Sequence, residues 1–130
     1  AGGYRIEGPG NYYAPTVLAD VTPEMPVFRE ETFGPVMAIV RADDAAHAIR
    51  LADDTRYGLA ASVWTADMER GLELGRGIHS GALFINAVVV SDPRLPFGGV
   101  KLSGYGRELS REGMLEFTNV RAVWAMRTIT

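Results

Sequence analysis

The chain has 130 residues, a normal size for one domain, and 47% of them are hydrophobic, which is enough to build a core. Its 13 basic and 16 acidic residues give a formal net charge of −3, which excludes a broad basic surface for nucleic-acid phosphates. The sequence has no cysteine, no secretory signal pattern, and no apolar run near the roughly 20 residues that span a bilayer. We therefore expect a cytoplasmic protein without disulfides, membrane spans or thiolate zinc sites.

The first part of the chain predicts strands and a helix after a turn-rich start. Residues 1–15 are rich in glycine, proline and tyrosine, which favours turns over a packed element. A short strand is predicted at 15–18 and a second at 36–40, where a continuous apolar run is typical of a strand covered on both faces. Two aspartates then precede alanine and isoleucine at helical spacing, which predicts a helix near 43–54.

The middle of the chain predicts another unit in which a helix connects two strands. The strands are expected at 59–64 and 81–86, and Thr65 or Asp67 caps the helix between them. One side of this helix contains Met68, Leu72, Gly75 and Ile78. Alternating strands and helices at these spacings imply right-handed crossovers, so the sequence predicts an α/β fold with a mostly parallel sheet and flanking helices.

After the last of these strands the pattern changes. Residues 87–106 predict a glycine- and proline-rich loop that is much longer than a simple connection, which favours a functional role. A short helix is predicted at 110–117, and a final strand at 119–126 places apolar side chains on one face. No internal repeat or linker divides the chain.

Residues 30–35, with the sequence EETFGP, form the first unusual motif. Two adjacent glutamates are usually a solvated acidic pair, and FGP can be an ordinary entry into a strand. Together, a carboxylate two residues from an aromatic ring presents an acceptor for hydroxyl groups beside a flat apolar surface. That combination suits a ribose next to a nicotinamide ring, with the solvated pair as the open alternative.

Residues 96–101, with the sequence PFGGVK, form the second motif. In a structural interpretation, Gly98 and Gly99 supply positive φ in a tight turn. In a functional interpretation, the two glycines let the backbone pass close to a ligand while Phe97 lines an apolar tunnel. Further along, we interpret Arg107 and Glu108 as an ion pair at the entry of a helix.

The histidines and the other glycines indicate no further site. His47 and His79 have no carboxylate or second histidine at ligand spacing, so we predict neither a metal site nor a histidine-driven catalytic dyad. Glycine-rich patches at 2–10 and 98–106 lack the strand and helix that flank a dinucleotide-binding motif. No phosphate site of the Rossmann type is therefore predicted.

The two motifs, in this order and at this spacing, resemble the C-terminal part of an aldehyde dehydrogenase. The resemblance covers essentially the whole chain, and residues 91–101, SDPRLPFGGVK, are similar to the bacterial succinate-semialdehyde dehydrogenase branch. Further matching positions are Gly2-Gly3, Pro15 to Leu18, Tyr57 to Leu59, Asn86 and Ser103 to Glu108.

The resemblance implies roles for four side chains. Glu31 matches the glutamate that holds the nicotinamide ribose, and Phe33 matches an aromatic ring packed near the nicotinamide. Phe97 matches an aromatic residue of the substrate tunnel, and Ser91 falls where semialdehyde-specific members bind the distal carboxylate. The implied cofactor is NAD or NADP, and the implied substrate is an aldehyde, in the first place succinate semialdehyde.

The same resemblance implies how the chain is organised. Residues 1–117 match the C-terminal part of the catalytic domain, and residues 118–130 match a strand that joins the sheet of a partner subunit. Asn86 and residues 87–95 match an anchor loop that shapes specificity. The expected partners are a small aldehyde, the rest of a parent chain, and further copies in a homodimer or homotetramer.

Members of that family are several times longer and react through a cysteine thiolate, which this chain lacks. The nucleotide-binding domain, the oxyanion-hole asparagine and the general-base glutamate are also expected to precede this segment. We therefore predict no catalytic residue here and no activity of the segment alone. Two alternatives stay open: a non-catalytic module for subunit association, and a dehydrogenase of the same class for another aldehyde.

Overall fold

The computed structural model describes residues 1–127, and the chain divides into two compact units. The first unit contains residues 1–55 together with 76–78, and the second contains residues 56–75 together with those from 79 onward. Each unit has one pair of parallel strands, so the predicted α/β class is confirmed. Among the described residues, no helix combines the length and apolar character that crossing a bilayer requires.

The first unit is built on two parallel strands joined through one helical turn. Its elements are β1 (Thr16–Leu18), α1 (Pro26–Arg29), β2 (Val36–Ala38) and α2 (Ala45–Asp53). β1 and β2 pair in the register that places Thr16 opposite Val36. α1 is too short to show a helical period in the sequence, but Pro26 begins it because the fixed φ of proline suits the first turn.

Thr16 is a buried polar residue that ties the N-terminal segment to β1. Its hydroxyl donates to the Ala14 carbonyl at 2.7 Å and accepts from the Gly3 N–H at 2.8 Å. Gly2 has a φ of +81°, and a Cβ at that position would lie 2.6 Å from the Thr16 hydroxyl oxygen. Gly2, predicted to lie in a turn, is therefore also required for close packing, whereas a Cβ at Gly3 would meet nothing within 4 Å. The buried hydrophobic residues, Ala14 and Val21, lie in the same unit.

α2 lies inside the predicted 43–54 range because its signals are local. Asp44 caps it, since the Asp44 carboxylate accepts from the His47 N–H at 2.6 Å. The His47 Nδ1 also lies 3.0 Å from a carboxylate oxygen of Asp43, one helical turn earlier. The expectation that His47 has no carboxylate neighbour is therefore wrong. Residues 1–127 nevertheless contain no group of three or more side chains that could hold a metal ion.

The second unit contains a parallel pair, an antiparallel pair and two helices. Its elements are β3 (Tyr57–Gly58), β4 (Ala60–Val63), α3 (Met68–Gly75), β5 (Ala82–Ile85), β6 (Val100–Lys101) and α4 (Ser110–Leu115). β4 and β5 are parallel, with Ala60 opposite Ala82 and Val63 opposite Ile85, and α3 connects them. This unit is the strand–helix–strand arrangement that the sequence predicts.

α3 contacts the β4–β5 pair through Gly71 and Gly75, of which only Gly75 lies on the predicted side. Gly71 and Gly75 are buried, whereas Met68 and Leu72 are 54% and 48% exposed. A Cβ at Gly71 would lie 3.1 Å from the Ile85 Cγ2, and one at Gly75 would overlap the Leu83 side chain. The missing side chains let the helix axis approach the sheet closely, so the glycine stripe becomes the packing face.

The antiparallel pair includes a strand where the sequence predicts a loop. β6 lies inside the predicted loop 87–106 and pairs with β3, so that Tyr57 is opposite Lys101 and Gly58 opposite Val100. The described residues thus form three two-stranded sheets, of which two are parallel and one is antiparallel. A two-residue strand has no visible period in the sequence, and its partner lies far along the chain, so local pattern does not reveal it.

Residues 119–127 form no strand, contrary to the strand predicted at 119–126. Val120 and Trp124 are 94% and 88% exposed. An extended segment becomes a strand only when the backbone of another strand accepts from its N–H groups and donates to its C=O groups. Pairing of residues 118–130 with a partner subunit stays a prediction, and 128–130 lie outside the described residues.

Candidate functional site

Glu31 and Phe33 lie on the loop between α1 and β2. At one end of the loop, the Glu30 N–H closes α1 with a backbone hydrogen bond of 2.8 Å. At the other end, the Pro35 carbonyl accepts from the Thr16 N–H at 2.7 Å. Between these anchors Glu31 is exposed and Phe33 is 93% exposed, and within residues 1–127 neither side chain has a hydrogen bond, ion pair or ring contact. The loop therefore exposes a carboxylate and an aromatic ring.

Asn86 turns the chain from β5 into the loop that carries Ser91 and Phe97. Its side-chain oxygen accepts from the Thr65 N–H and its amide donates to the Thr65 carbonyl, both at 2.7 Å. These two side-chain bonds take the place of a further pair of backbone hydrogen bonds between β4 and β5. A φ of +53° at Asn86, a conformation that asparagine tolerates better than most residues, then directs the chain away from the sheet.

Residues 92–95 form a hydrogen-bonded turn shortly after Ser91. The Asp92 carbonyl accepts from the Leu95 N–H at 2.9 Å, and Pro93 occupies the second position, which suits its fixed φ. The Pro93 carbonyl accepts from the Ser110 N–H at 3.0 Å, which ties the turn to the start of α4. The backbone of the turn is thus held by one hydrogen bond within the turn and by another from the first residue of α4.

The Asp92 and Arg94 side chains lock the same turn. One carboxylate oxygen of Asp92 accepts from the backbone N–H and from the Nε of Arg94, both at 2.9 Å. The other oxygen accepts from the Arg94 Nη2 at 2.6 Å. Hydrogen bonds from the Arg94 guanidinium and its backbone N–H lower the pKa of Asp92 to about 2, so the carboxylate is ionised at neutral pH.

A mostly apolar cavity of about 250 Å³ lies between the start of β5 and this loop. Its walls are Gly81, Ala82, Leu83, Phe84, Val90, Asp92, Leu95, Pro96 and Phe97. Phe97 lines this cavity, whereas Ser91 does not, although both neighbours of Ser91 in sequence do. Ser91 is exposed. The structure thus brings Phe97 and Asp92 together and leaves the Ser91 hydroxyl at the surface of the same loop.

Gly98 and Gly99 are required for close backbone approach and not for positive φ. Neither has φ in the left-handed region, so the tight-turn interpretation is wrong. A Cβ at Gly98 would lie 2.6 Å from the Gly106 carbonyl oxygen, and one at Gly99 would lie 2.5 Å from the Ser103 Cβ. The close approach is made to the chain's own backbone, which allows Phe97 to form a backbone bridge with Glu108.

Arg107 supports this folded loop instead of forming the predicted ion pair. Its Nη1 donates to the carbonyls of Gly99 and Gly106 at 3.0 and 2.6 Å, and its backbone N–H donates to the Glu116 carboxylate at 3.2 Å. Within residues 1–127, no salt bridge joins it to Glu108, whose backbone pairs with Phe97. The sequence did not predict that the side chains of Asp92, Arg94 and Arg107 hold this loop. The Asp-Pro pair, a frequent turn former, was the available signal for the first two.

The sequence model of the Aldehyde dehydrogenase family matches residues 1–123, which is nearly the whole chain. The chain belongs to the aldehyde dehydrogenase family. The resemblance stated from its motifs is therefore confirmed, and so is the oxidoreductase class of its relatives.

Two curated relatives of this aldehyde dehydrogenase chain are named for succinate semialdehyde. It is 53% identical over 123 residues to a protein of Synechocystis sp. named a probable succinate-semialdehyde dehydrogenase (NADP(+)), covering 95% of this chain and 27% of that protein. It is 52% identical over 126 residues to the Escherichia coli succinate semialdehyde dehydrogenase (NAD(P)+), covering 97% of this chain and 27% of the relative. The chain therefore spans about a quarter of the length of these relatives.

Solved structures of aldehyde dehydrogenases share the fold of the chain. A succinic semialdehyde dehydrogenase from Streptococcus pyogenes in complex with NADP+ is 38% identical, with a TM-score of 0.92 over 98% of this chain and 28% of that one. An aldehyde dehydrogenase from Mycobacterium tuberculosis complexed with NAD+ is 46% identical, with a TM-score of 0.86 over 92% of this chain and 25% of that one. Relatives thus bind either cofactor.

Proposed function

We propose that this chain is the C-terminal part of an NAD(P)-dependent aldehyde dehydrogenase that oxidises succinate semialdehyde to succinate. The observation that carries the proposal is the identity of about half of all positions, along nearly the whole chain, to relatives named for that substrate. The cytoplasmic location expected from the sequence belongs to the same proposal. The choice between NAD and NADP stays open in it, because the relatives' names include both cofactors.

The residues of the 30–35 loop fit the nicotinamide end of such a cofactor. A carboxylate at Glu31 with no partner among the described residues can accept hydrogen bonds from two ribose hydroxyls. The nearly uncovered ring of Phe33 offers an apolar face of the size that a nicotinamide ring needs. The bound cofactor would supply the hydride acceptor of the oxidation. The residues of this chain would hold and orient it.

On the substrate side, Phe97 would form part of the apolar wall along which the aldehyde enters. Its position is supported by the backbone bridge to Glu108 and by the close contacts of the two following glycines. Ser91, exposed just before the locked turn, would donate its hydroxyl to the distal carboxylate of the semialdehyde. The turn keeps this hydroxyl on a loop whose course is fixed.

The nucleophile of the reaction has to come from outside these residues. The chain contains no cysteine, and in this family a cysteine thiolate attacks the aldehyde carbon. The chain alone is accordingly expected to be inactive. We further propose that residues 118–130 add a strand to a partner subunit, because exposed apolar side chains such as Trp124 lie on a segment whose backbone has no strand partner among the described residues.

Ser91→Ala in the full-length enzyme tests the substrate assignment. We expect KM for succinate semialdehyde to rise about tenfold, because a hydrogen bond to a charged group is lost, while KM for butanal stays unchanged. Ser91→Thr, which keeps the hydroxyl, is the matched control and should remain close to the wild type. Equal changes for the two aldehydes would remove Ser91 from the carboxylate site.

A further inference from the structure

The cavity that Phe97 lines has one charged side chain in its wall. Asp92 contributes to the wall, its side chain is only 25% exposed, and its lowered pKa keeps it ionised. A carboxylate in the wall of a small cavity repels another carboxylate that enters it, and repulsion is stronger where water is partly excluded. An enzyme for an anionic aldehyde therefore has to cancel this charge.

Arg94 is placed to cancel it. Its guanidinium binds both Asp92 oxygens from the side of the turn that does not line the cavity, and it is 86% exposed to solvent. The fork geometry matches the planar guanidinium to the planar carboxylate, an arrangement that a lysine cannot copy. The pair is neutral as a whole, and its arginine does not occupy cavity space.

We propose that the Asp92–Arg94 pair is a specificity-determining device, in which Arg94 neutralises the cavity wall so that the loop admits an anionic aldehyde. Asp92 is fixed in the wall because its carboxylate and its carbonyl both make hydrogen bonds that form the 92–95 turn. A turn held by an aspartate places a negative charge in the wall, and Arg94 supplies the positive charge that balances it. The inference rests on the proposed function, since it takes the cavity to be the path of the substrate.

A charge series at the two positions in the full-length enzyme tests the proposal. Arg94→Ala leaves one negative charge in the wall, and Asp92→Asn leaves one positive charge on the turn. KM for succinate semialdehyde should rise about threefold to fivefold in Arg94→Ala and fall in Asp92→Asn. KM for butanal, which has the same carbon chain without the carboxylate, should change less than KM for succinate semialdehyde in both variants.

Two further measurements separate charge from a merely structural role. Arg94→Lys keeps the charge and loses the fork, so its ratio of KM values for the two aldehydes should equal that of the wild type. In Arg94→Ala, salt at about 1 M should reduce the KM difference, because the Debye length falls to about 3 Å. Arg70→Ala removes a positive charge from an exposed position on α3 and is the matched control, with KM values unchanged.

The proposal is overturned if Arg94→Ala raises KM for both aldehydes equally, or if Arg94→Lys behaves like Arg94→Ala. Either result would mean that the pair only holds the turn. A wild-type enzyme that oxidises butanal and not succinate semialdehyde would instead refute the proposed function, so the two failures are distinguishable.

Discussion

Glu31 and Phe33 lie on a loop that is fixed only where it leaves α1 and enters β2, whereas the loop from Asn86 to Glu108 is held at several points between its ends. Side-chain amide bonds hold the start of the second loop, the Asp92–Arg94 pair holds its turn, and a backbone bridge from Phe97 closes it. The first loop presents side chains with no contacts of their own. The second loop is stabilised by hydrogen bonds and an ion pair of its own residues.

We therefore expect substitutions in the two loops to affect different properties of the enzyme. Because little packs against the side chains of the 30–35 loop, substitutions there are expected to change ligand binding and not folding. In the 86–108 loop the same backbone that would carry substrate contacts also makes close contacts with itself, so substitutions are expected to change folding first.

Gly98→Ala is expected to have the largest effect. Its Cβ would lie 2.6 Å from the Gly106 carbonyl oxygen and 3.1 Å from the Arg107 Cδ, so the loop has to open. The free energy of unfolding of the full-length enzyme should fall by about 3 kcal/mol, measured by denaturant titration. Gly34→Ala is the control, because nothing lies within 4 Å of its Cβ. Equal losses in both variants would contradict the contrast between the loops.

Asn86→Ala is expected to cost less, about 2 kcal/mol of unfolding free energy, since it removes two hydrogen bonds to Thr65 and leaves alanine at positive φ. Asn86→Asp keeps the acceptor and the backbone preference and should recover about half of the loss. If both variants are as stable as the wild type, the amide pair does not hold the loop.

Glu31→Gln should leave the unfolding free energy unchanged and weaken cofactor binding about tenfold, because a neutral acceptor replaces the carboxylate. Isothermal titration calorimetry of the full-length enzyme with NAD and with NADP measures the effect. Glu30→Gln is the matched control, since Glu30 contributes only a backbone hydrogen bond to α1. Unchanged binding in Glu31→Gln would remove it from the cofactor site.

The smallest expected effect is the pH dependence of the 92–95 turn. The Arg94 hydrogen bonds hold the pKa of Asp92 at about 2, below the ordinary 3.8, so ionised Asp92 stabilises the folded state above pH 3.8. That contribution is lost as pH falls from 3.8 toward 2. The Tm difference between the wild type and Asp92→Asn should therefore shrink as the pH is lowered from about 5 toward 3. A difference that is constant with pH would show that ionisation of Asp92 does not matter.

Several elements could be predicted because their causes are local. α2 begins at a capping aspartate followed by helical spacing, and β5 is an apolar run that ends at Asn86. β6 could not be predicted, because two residues carry no period and its pairing depends on β3. The predicted side of α3 includes Gly75 but not Gly71, because the pattern counts apolar side chains, whereas the packing uses the space that both glycines leave.

By itself, the sequence determined the family, the α/β class and the positions of the candidate residues Glu31, Phe33, Ser91 and Phe97. Those inferences depend on residue identity and spacing along the chain, which a sequence contains in full. Only the tertiary structure decided what Gly98 and Gly99 approach, which acceptors Arg107 binds and that Asp92, paired with Arg94, lies in a cavity wall. Such contacts are set by distance in space, and the pattern along the chain does not contain that distance.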